Sequence, residues 1–397
     1  MKTRNLLYLA QLEEYDIDRI KLWLKNNPEL TVEEIKHHLI WTPKTILIFI
    51  KTTFLSLFIG NQKALFLVLT LLTPFDIFIK NILVTLATIK FKIFNKNTIT
   101  IGITGSWGKT TVKETLYSIF KQKLVVTATP SNHNTLLAIA KRALFLSPKT
   151  KIFICEIGAY CIGDIKKVCQ IIHPKIGILT AIGPMHLERF GSLDNILTAK
   201  MELAESLSPN GLFVTPKNLS TKIKNFSLPK NVNYFKDYQE IYYFLGNQFN
   251  ISKSDIDSTL KYLLPVEHRR QIIQNGLITV IDDAYNSNPV GFKLALDTLK
   301  NINSDNKILI TPGMIEMGQL QFEENQKAAT YAASICNHII IVGHTNQESL
   351  TQGVKLAKTK VKIHTVANLK SANELLPSIM SKNSAILYEN DLSDQYF

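Results

Sequence analysis

The sequence predicts an α/β protein: two open α/β units with parallel sheets, residues 98–264 and 265–397, behind a helical, membrane-associated segment, residues 1–97. Three observations lead there. Residues 98–120, TITIGITGSWGKTTVKETLYSIF, pass from an alternating apolar strand through glycines into an amphipathic helix. Beyond them, short β-rich runs alternate with helical patterns, the rhythm of βαβ units. Residues 45–94, by contrast, form a dense apolar block.

In chain order, residues 6–26 and 31–40 read as two amphipathic helices separated by Asn27-Pro28, with Thr31 and Glu34 as a capping box for the second. The runs TILIFIKTTFLSLFIG (45–60) and ALFLVLTLLTPFDIFIKNILVTLATIKF (64–91) follow. Lys51 interrupts the first, and Pro74, Asp76 and Lys80 the second, so a short membrane hairpin or an interface-lying pair is expected rather than two clean spans. Both ends then lie on one side, and the flanking lysines make that side the cytoplasm. In the central unit, KIFICEIGAY (151–160) and KIGILTAIGPMHLERFG (175–191) read as strands running into turns, GLFVTP (211–216) and VNYF (232–235) as further short strands, SLDNILTAKMELAESL (192–207) as a helix, and 217–231 as a lysine-rich solvated loop. A break near Leu264-Pro265 opens the last unit, whose strands are LITVIDDAYN, KILITPG, HIIIVGH, KIHTV and AILYEND.

Hydrophobic content is 46%, the net charge +13, and Lys far outnumbers Arg. No zinc finger, aromatic RNA-binding motif or Arg-rich stripe accompanies that charge, which excludes nucleic acid as a partner and favours anionic lipid. Cys155, Cys161, Cys169 and Cys336 form no C-x-x-C pair and read as reduced, mostly buried thiols. The N-terminus carries acidic residues and no short apolar run with a cleavage site, so no cleavable leader is expected.

The turn at Gly105, Ser106, Gly108, Lys109, Thr110 and Thr111 has the chemistry of a phosphate cradle. Glycines admit backbone N–H groups to phosphate oxygens, and the helix start adds partial positive charge. Lys109 suits the outer phosphates of ATP, and the Thr110 hydroxyl suits Mg²⁺. Only two residues separate Gly105 from Gly108, where a common phosphate loop has four between its first glycine and the GK pair. Glu156 and His186 stand at further strand ends, where open α/β sheets place ligands, and are the right types to hold Mg²⁺ around a triphosphate.

ITGSWGKTT, EIGAY, LTAIGPMHLERFGSLDNILTAKMEL and IDDAYNSNP, in this order, resemble the Mur ligase family from about residue 98 to the C-terminus. The family's loop has the same short glycine spacing. The resemblance implies a phosphate-loop central domain and a Rossmann-like C-terminal domain. It implies Glu156 and Thr110 on one Mg²⁺, and His186 on a second with Lys200 as a carbamate. It also implies Arg269, or alternatively Arg270, on the γ-phosphate, and a nucleotide-closing loop of Asp283, Tyr285, Asn286 and Asn288. The implied reaction is ATP-dependent amide formation through an acyl phosphate. Its carboxylate belongs to a peptide-bearing cell-wall precursor and its amine to an amino acid or dipeptide, nearest the D-alanyl-D-alanine-adding branch. The same machinery serves folylpolyglutamate- and cyanophycin-type ligases, and a non-catalytic nucleotide-binding membrane scaffold is a third reading. Retention of Lys109, Glu156, His186 and Lys200 together argues against the scaffold.

Departures from the family pattern fall on the substrate side. The first 97 residues are membrane-like helices rather than a nucleotide-sugar-binding domain, SNHNT (131–135) stands in place of longer loops, Ala181 replaces a common asparagine, and Gly313 is followed directly by Met314. These departures put a UDP-linked acceptor in question and leave two expectations: an acceptor held at the membrane, for instance lipid-linked, or one bound by a partner protein.

Overall fold

The computed structural model describes the chain apart from residues 29–31, 33, 35–37, 131–132, 265, 393–395 and 397. Four helices come first: α1 (Thr3–Leu12), α2 (Ile17–Asn26), α3 (Pro43–Ile59) and α4 (Asn61–Phe94). The single helix expected over 6–26 is two, because Glu14 and Tyr15 take left-handed φ values of 56° and 63°. Asp16 then starts α2 by accepting from the N–H groups of Asp18 and Arg19. The helix expected over 31–40 falls largely outside the described residues, Thr31 included, and the described Val32, Glu34 and residues 38–40 are not helical. Glu34 caps no helix there. Its carboxylate takes two bonds from Arg4, at 2.7 and 3.1 Å, and one from the Leu39 N–H.

The expected apolar pair is a 17-residue helix and an unbroken 34-residue one that Pro74 and Asp76 do not interrupt. Asp76 pairs with Lys44 of α3, whose ammonium also sits 4.5 Å above the Tyr15 ring. Among the described residues α4 is the one helix long and apolar enough to cross a membrane, judged by length and composition. Its packing gives it another course. Leu65, Val68 and Leu69 join Leu6, Leu7, Leu9 and Ile48 in an N-terminal core. Ala87 and Phe91 are buried instead against Ile139, Ala143, Phe153 and Val168 of the central unit. Lys90 fixes this end by donating to Asn95 Oδ1 (2.7 Å) and the Ala143 carbonyl (3.2 Å). Residues 83–91 therefore pack with the central unit, although the first segment was bounded at 97.

The central unit runs β1 (Ile99–Thr104), α5 (Lys109–Phe120), β2 (Val126–Ala128), α6 (Leu136–Leu144), β3 (Ile152–Glu156), α7 (Asp164–Ile172), β4 (Ile176–Leu179), α8 (Leu187–Phe190), α9 (Leu193–Glu205), β5 (Leu212–Pro216), β6 (Asn231–Phe235), α10 (Tyr238–Gln248) and α11 (Lys253–Tyr262). Its sheet is wholly parallel, in the order β2-β3-β1-β4-β5-β6. β1 lies between β3 and β4, so connections leave its carboxyl end in both directions and open a crevice there. Ile101 and Ile103 face α5, α10 and α11. On the other face, a Cβ at Gly102 would stand 2.9 Å from Leu203 Cδ1, so glycine lets α9 close on the sheet. The 217–231 loop is not simply solvated: its lysines are exposed, but Leu219 and Ile223 are buried beside Met201 and Phe213. All four cysteines are free, and Cys161 is exposed.

The C-terminal unit runs β7 (Gln271–Asn275), β8 (Ile278–Asp283), α12 (Pro289–Asn301), β9 (Asn306–Thr311), α13 (Gln321–Ala333), β10 (His338–Val342), α14 (Gln347–Leu356), β11 (Lys362–Val366), α15 (Leu369–Ile379) and β12 (Ser384–Glu389). Its order is β11-β10-β9-β12-β8-β7, parallel except for the antiparallel edge strand β7, which the sequence reading passed over.

Phe91→Ala removes the ring that ties α4 to Phe153 (centroids 6.3 Å apart). We expect it to cost about 3 kcal/mol in urea unfolding, far more than Phe78→Ala on the exposed side of the same helix.

Candidate active site

The phosphate loop is built where glycine alone fits. Gly105 (φ 149°) and Gly108 (φ 80°) take backbone conformations that side chains disfavour, and a Cβ on either would stand 2.1 Å from Thr180 Oγ1 or Tyr238 OH. Ser106 is stapled to the loop after β4: its hydroxyl donates to the Gly183 carbonyl and accepts from the Gly183 N–H, both at 3.0 Å. The Ser106 N–H bonds the Ala181 carbonyl (2.9 Å), a contact indifferent to the side chain at 181. Lys109 opens α5 and folds back, donating to the carbonyls of Gly105 (2.7 Å) and Ser106 (3.3 Å). Thr111 is exposed on α5.

Beneath the loop lies a buried carboxylate. Glu156, at the end of β3 and opposite Ile103 of β1, accepts from the Thr110 hydroxyl at 3.0 Å. Asn134 donates to its other oxygen at 3.4 Å. Lys113, fully buried one helical turn beyond Lys109, places its ammonium 3.4 Å from Glu156 and 3.1 Å from Glu114. Burial opposes charge on Glu156, yet Lys109 and Lys113 outweigh it and hold its pKa below the ordinary carboxylate value. Burial likewise lowers Lys109. It pushes Lys200, buried on α9 with its ammonium 5.8 Å from the Phe190 ring, down to about 7.

His186 joins the two α/β units. It adopts φ 54°, and its Nδ1 bonds the carboxylate of Glu316, itself at φ 58°. Arg189 reaches the other Glu316 oxygen (3.3 Å), and the Glu188 N–H donates to the Glu316 carbonyl (3.1 Å). Burial opposes the Glu316 charge, but His186 and Arg189 hold its pKa down to about 2. Burial lowers His186 below its ordinary value. An ionised carboxylate can only accept, so Nδ1 is the donor of this pair. Tyr160 lies against this cluster, 4.9 Å from the His186 ring and under the Arg189 guanidinium at 4.0 Å.

Across the crevice, the Arg269 guanidinium stacks on Tyr285 at 4.2 Å, and both line a cavity of about 840 Å³ with Thr110 and Glu114. Arg270 is exposed and uses its backbone N–H to bond Asp283 (3.0 Å). Burial pushes Asp283 up to about 6 and its strand neighbour Glu389 well above the ordinary value. Asn286 lines a separate cavity of about 270 Å³ beside His186. Asn288 is buried, and its side-chain oxygen caps α12 by accepting from the Gly291 N–H (3.0 Å).

Among the described residues no three His, Cys, Asp or Glu side chains converge to hold a metal. That is compatible with Mg²⁺, which keeps waters and substrate phosphates and takes one or two protein oxygens. Glu156, held ionised by Lys109 and Lys113, and the Thr110 hydroxyl 3.0 Å from it fit as such a pair. Sequence reasoning missed Lys113, Asn134 and Glu316. Only Lys113 carried a signal, its i+4 spacing from Lys109.

A glycine-rich loop of the phosphate-binding type, a buried carboxylate below it and a second α/β unit that brings Arg269 and Tyr285 to the same cavity make a two-domain α/β protein with its candidate site between the domains. The chain belongs to the Mur ligase family: residues 103–261 match the Mur ligase middle domain and residues 268–388 the Mur ligase glutamate ligase domain, together well over half of it. It is 27% identical over 291 residues to the UDP-N-acetylmuramoyl-tripeptide–D-alanyl-D-alanine ligase of Rickettsia prowazekii, covering 61% of this chain and 65% of that one. It is 30% identical over 268 residues to the enzyme of that name from Buchnera aphidicola, covering 56% and 58%. The chain thus spans somewhat under two thirds of the length of these relatives. The MurF ligase of Thermotoga maritima in complex with ADP shares the fold, with a TM-score of 0.66 at 21% identity over 79% of this chain and 80% of that one.

Glu156, with its lowered pKa, contributes stability that is present above its unfolded pKa and lost as pH falls through the folded value. Lys113→Met removes one of its cations, so acid unfolding followed by circular dichroism should begin at higher pH than in the wild type. Glu316→Ala removes the His186 and Arg189 partner. Small-angle scattering should then report a larger radius of gyration than that of the wild type, because the bonds joining the two units at Glu316 are lost.

Proposed function

We propose that this protein is an ATP-dependent amide ligase acting on a carboxylate of a cell-wall peptide, with an amino acid or dipeptide such as D-alanyl-D-alanine as the amine. The observation that carries this reading is the buried Glu156, bonded to Thr110 beneath the phosphate loop and faced by Lys109 and Lys113. A carboxylate kept ionised at that depth suits Mg²⁺ beside the phosphates, and the retention of His186 and Lys200 with it favours a ligase over a scaffold that only binds nucleotide.

ATP fits the 840 Å³ cavity between α5, α11 and Tyr285, its phosphates directed at the start of α5. Lys109 exchanges its loop carbonyls for the outer phosphates. Arg269 turns from Tyr285 to the γ-phosphate, and closure at Glu316 excludes water. Mg²⁺, when bound, neutralises charge on the transferring phosphoryl group; Thr110 and Glu156 would hold one ion, and His186 with a carbamylated Lys200 a second. An acceptor carboxylate oxygen attacks the γ-phosphorus, breaking its bond to the bridging oxygen and releasing ADP. The amine attacks the resulting acyl phosphate, loses a proton and expels inorganic phosphate as the amide forms. Lys200, at a pKa of about 7, has at neutral pH the unprotonated amine that carbamate formation with carbon dioxide requires. The exposed apolar side chains of α3 and α4 support a location at the cytoplasmic face of the membrane.

Purified full-length protein should release phosphate from ATP and Mg²⁺ only when D-alanyl-D-alanine and a muramyl tripeptide are both present, and should form the amide. Lys109→Ala should lower turnover about a hundredfold to a thousandfold. With ¹³C-bicarbonate, a carbamate resonance is expected in the wild type and not in Lys200→Ala; its absence from the wild type would remove the carbamate from the scheme.

A further inference from the structure

Residues 1–97 lie outside both matched domains, yet they wall a cavity of about 600 Å³ beside the reacting groups. One wall is α4, through Ile77, Lys80, Asn81 and Val84. Asn134 and Tyr160 of the central unit stand opposite. These two lead into the active site: Asn134 donates to Glu156 (3.4 Å), and Tyr160 packs on His186 (4.9 Å). The remaining lining is charged in both senses. Lys80 and Lys167 are exposed cations, while Glu14 and Asp164 are carboxylates. Asp164 is committed to its turn, accepting from the Tyr160 and Cys161 N–H groups at 3.0 Å.

The opposite side of the same helix is different. Phe75, Phe78, Ile82, Leu86, Ile89 and Ile93 are all exposed, at spacings of three and four residues. α3 adds Ile50, Phe54, Leu57 and Phe58. Such a stripe on a lysine-rich chain fits the acyl boundary of a bilayer. The cavity then stands one helix diameter, about 10 Å, above that boundary. That is the level of a lipid head extended by sugar or peptide.

We propose that this cavity takes the head of an acceptor borne by a membrane lipid: a phosphate-bearing head met by Lys80 and Lys167, with an attached peptide whose amine meets Glu14 and whose carboxylate passes Asn134 to reach Glu156 and His186. The inference rests on the ligase reading and names its acceptor class.

The test is photo-crosslinking of the full chain without ATP. A diazirine-bearing muramyl tripeptide is presented on a polyprenyl diphosphate in phosphatidylcholine vesicles, and in a parallel arm the same tripeptide is linked to UDP in solution. Labelling by the lipid-borne probe should map to residues 77–84 and 134–137. Asn81→Trp, which fills the cavity, should abolish it. Lys80→Ala and Lys167→Ala should each lower it about fivefold, with co-flotation on probe-free vesicles unchanged. Equal labelling by the UDP-linked probe, labelling indifferent to Asn81→Trp, or none at these residues overturns the proposal. Phosphate release, measured separately, keeps the two readings apart. Labelling without turnover would retain the cavity and remove the ligase, whereas turnover on the UDP-linked acceptor without labelling would do the reverse.

Discussion

The arrangement depends on one buried charge. Glu156 sits at the end of β3, in register with Ile103 of β1, directly under the start of α5. A carboxylate there costs several kcal/mol of desolvation unless it is paired and hydrogen-bonded. Thr110, Lys113 and Lys109 all come from the first turns of α5, so meeting the carboxylate's needs fixes the helix against the sheet. The phosphate loop gets its shape from the same constraint. With β1 held by Glu156 and the loop stapled at Ser106–Gly183, Gly105 and Gly108 have no room for a Cβ. A hydrophobic pair could stabilise the helix as well, but it would offer nothing to a cation or a phosphate.

The second constraint is set between domains. His186 and Glu316 both hold left-handed backbone conformations, each costing on the order of 1 kcal/mol or more. Each is kept there by the other, through the imidazole–carboxylate bond, Arg189 and the Glu188–Glu316 backbone bond. The contact that joins the C-terminal unit to the central one therefore also fixes the His186 ring, through its Nδ1. The Asp283–Glu389 pair lies on the same unit, where neighbouring strand ends bring two carboxylates together and Ser287 and Arg270 satisfy them only in part.

Much of this was legible because it is local. A strand, a short glycine turn and a helix declare a phosphate loop without tertiary help, and a strand end predicted where Glu156 would stand; His186, also expected at a strand end, instead starts α8, well beyond the end of β4 at Leu179. What escaped depends on long-range packing. Glu316 acquires its role only when the two sheets meet, 130 residues from its partner. Asn288, read by position as a nucleotide contact, also caps α12 with its side-chain oxygen, a use its place before Pro289 and a helix predicts. β7 is short and exposed, so its apolar content is too low to signal a strand. The break at Glu14 and Tyr15 hid inside a continuous helical pattern, because apolar spacing does not report a change of φ sign.

The length of α4 follows from having two surfaces to serve. A helix needed only to cap the central core could stop after the turns around Ala87 and Phe91; one needed only to insert in a membrane would not carry Lys80 and Asn81 in its middle. Exposed Phe, Ile and Leu side chains each forgo up to about 1.5–3 kcal/mol of burial, and a contiguous stripe of them exceeds what soluble monomers leave uncovered. Because Phe91 and Lys90 anchor the last turns rigidly to the central unit, whatever covers the stripe also sets the orientation of the phosphate loop. A bilayer covering it would hold Glu156 and Lys200 at a fixed height, within reach of a head group that enters beneath the helix.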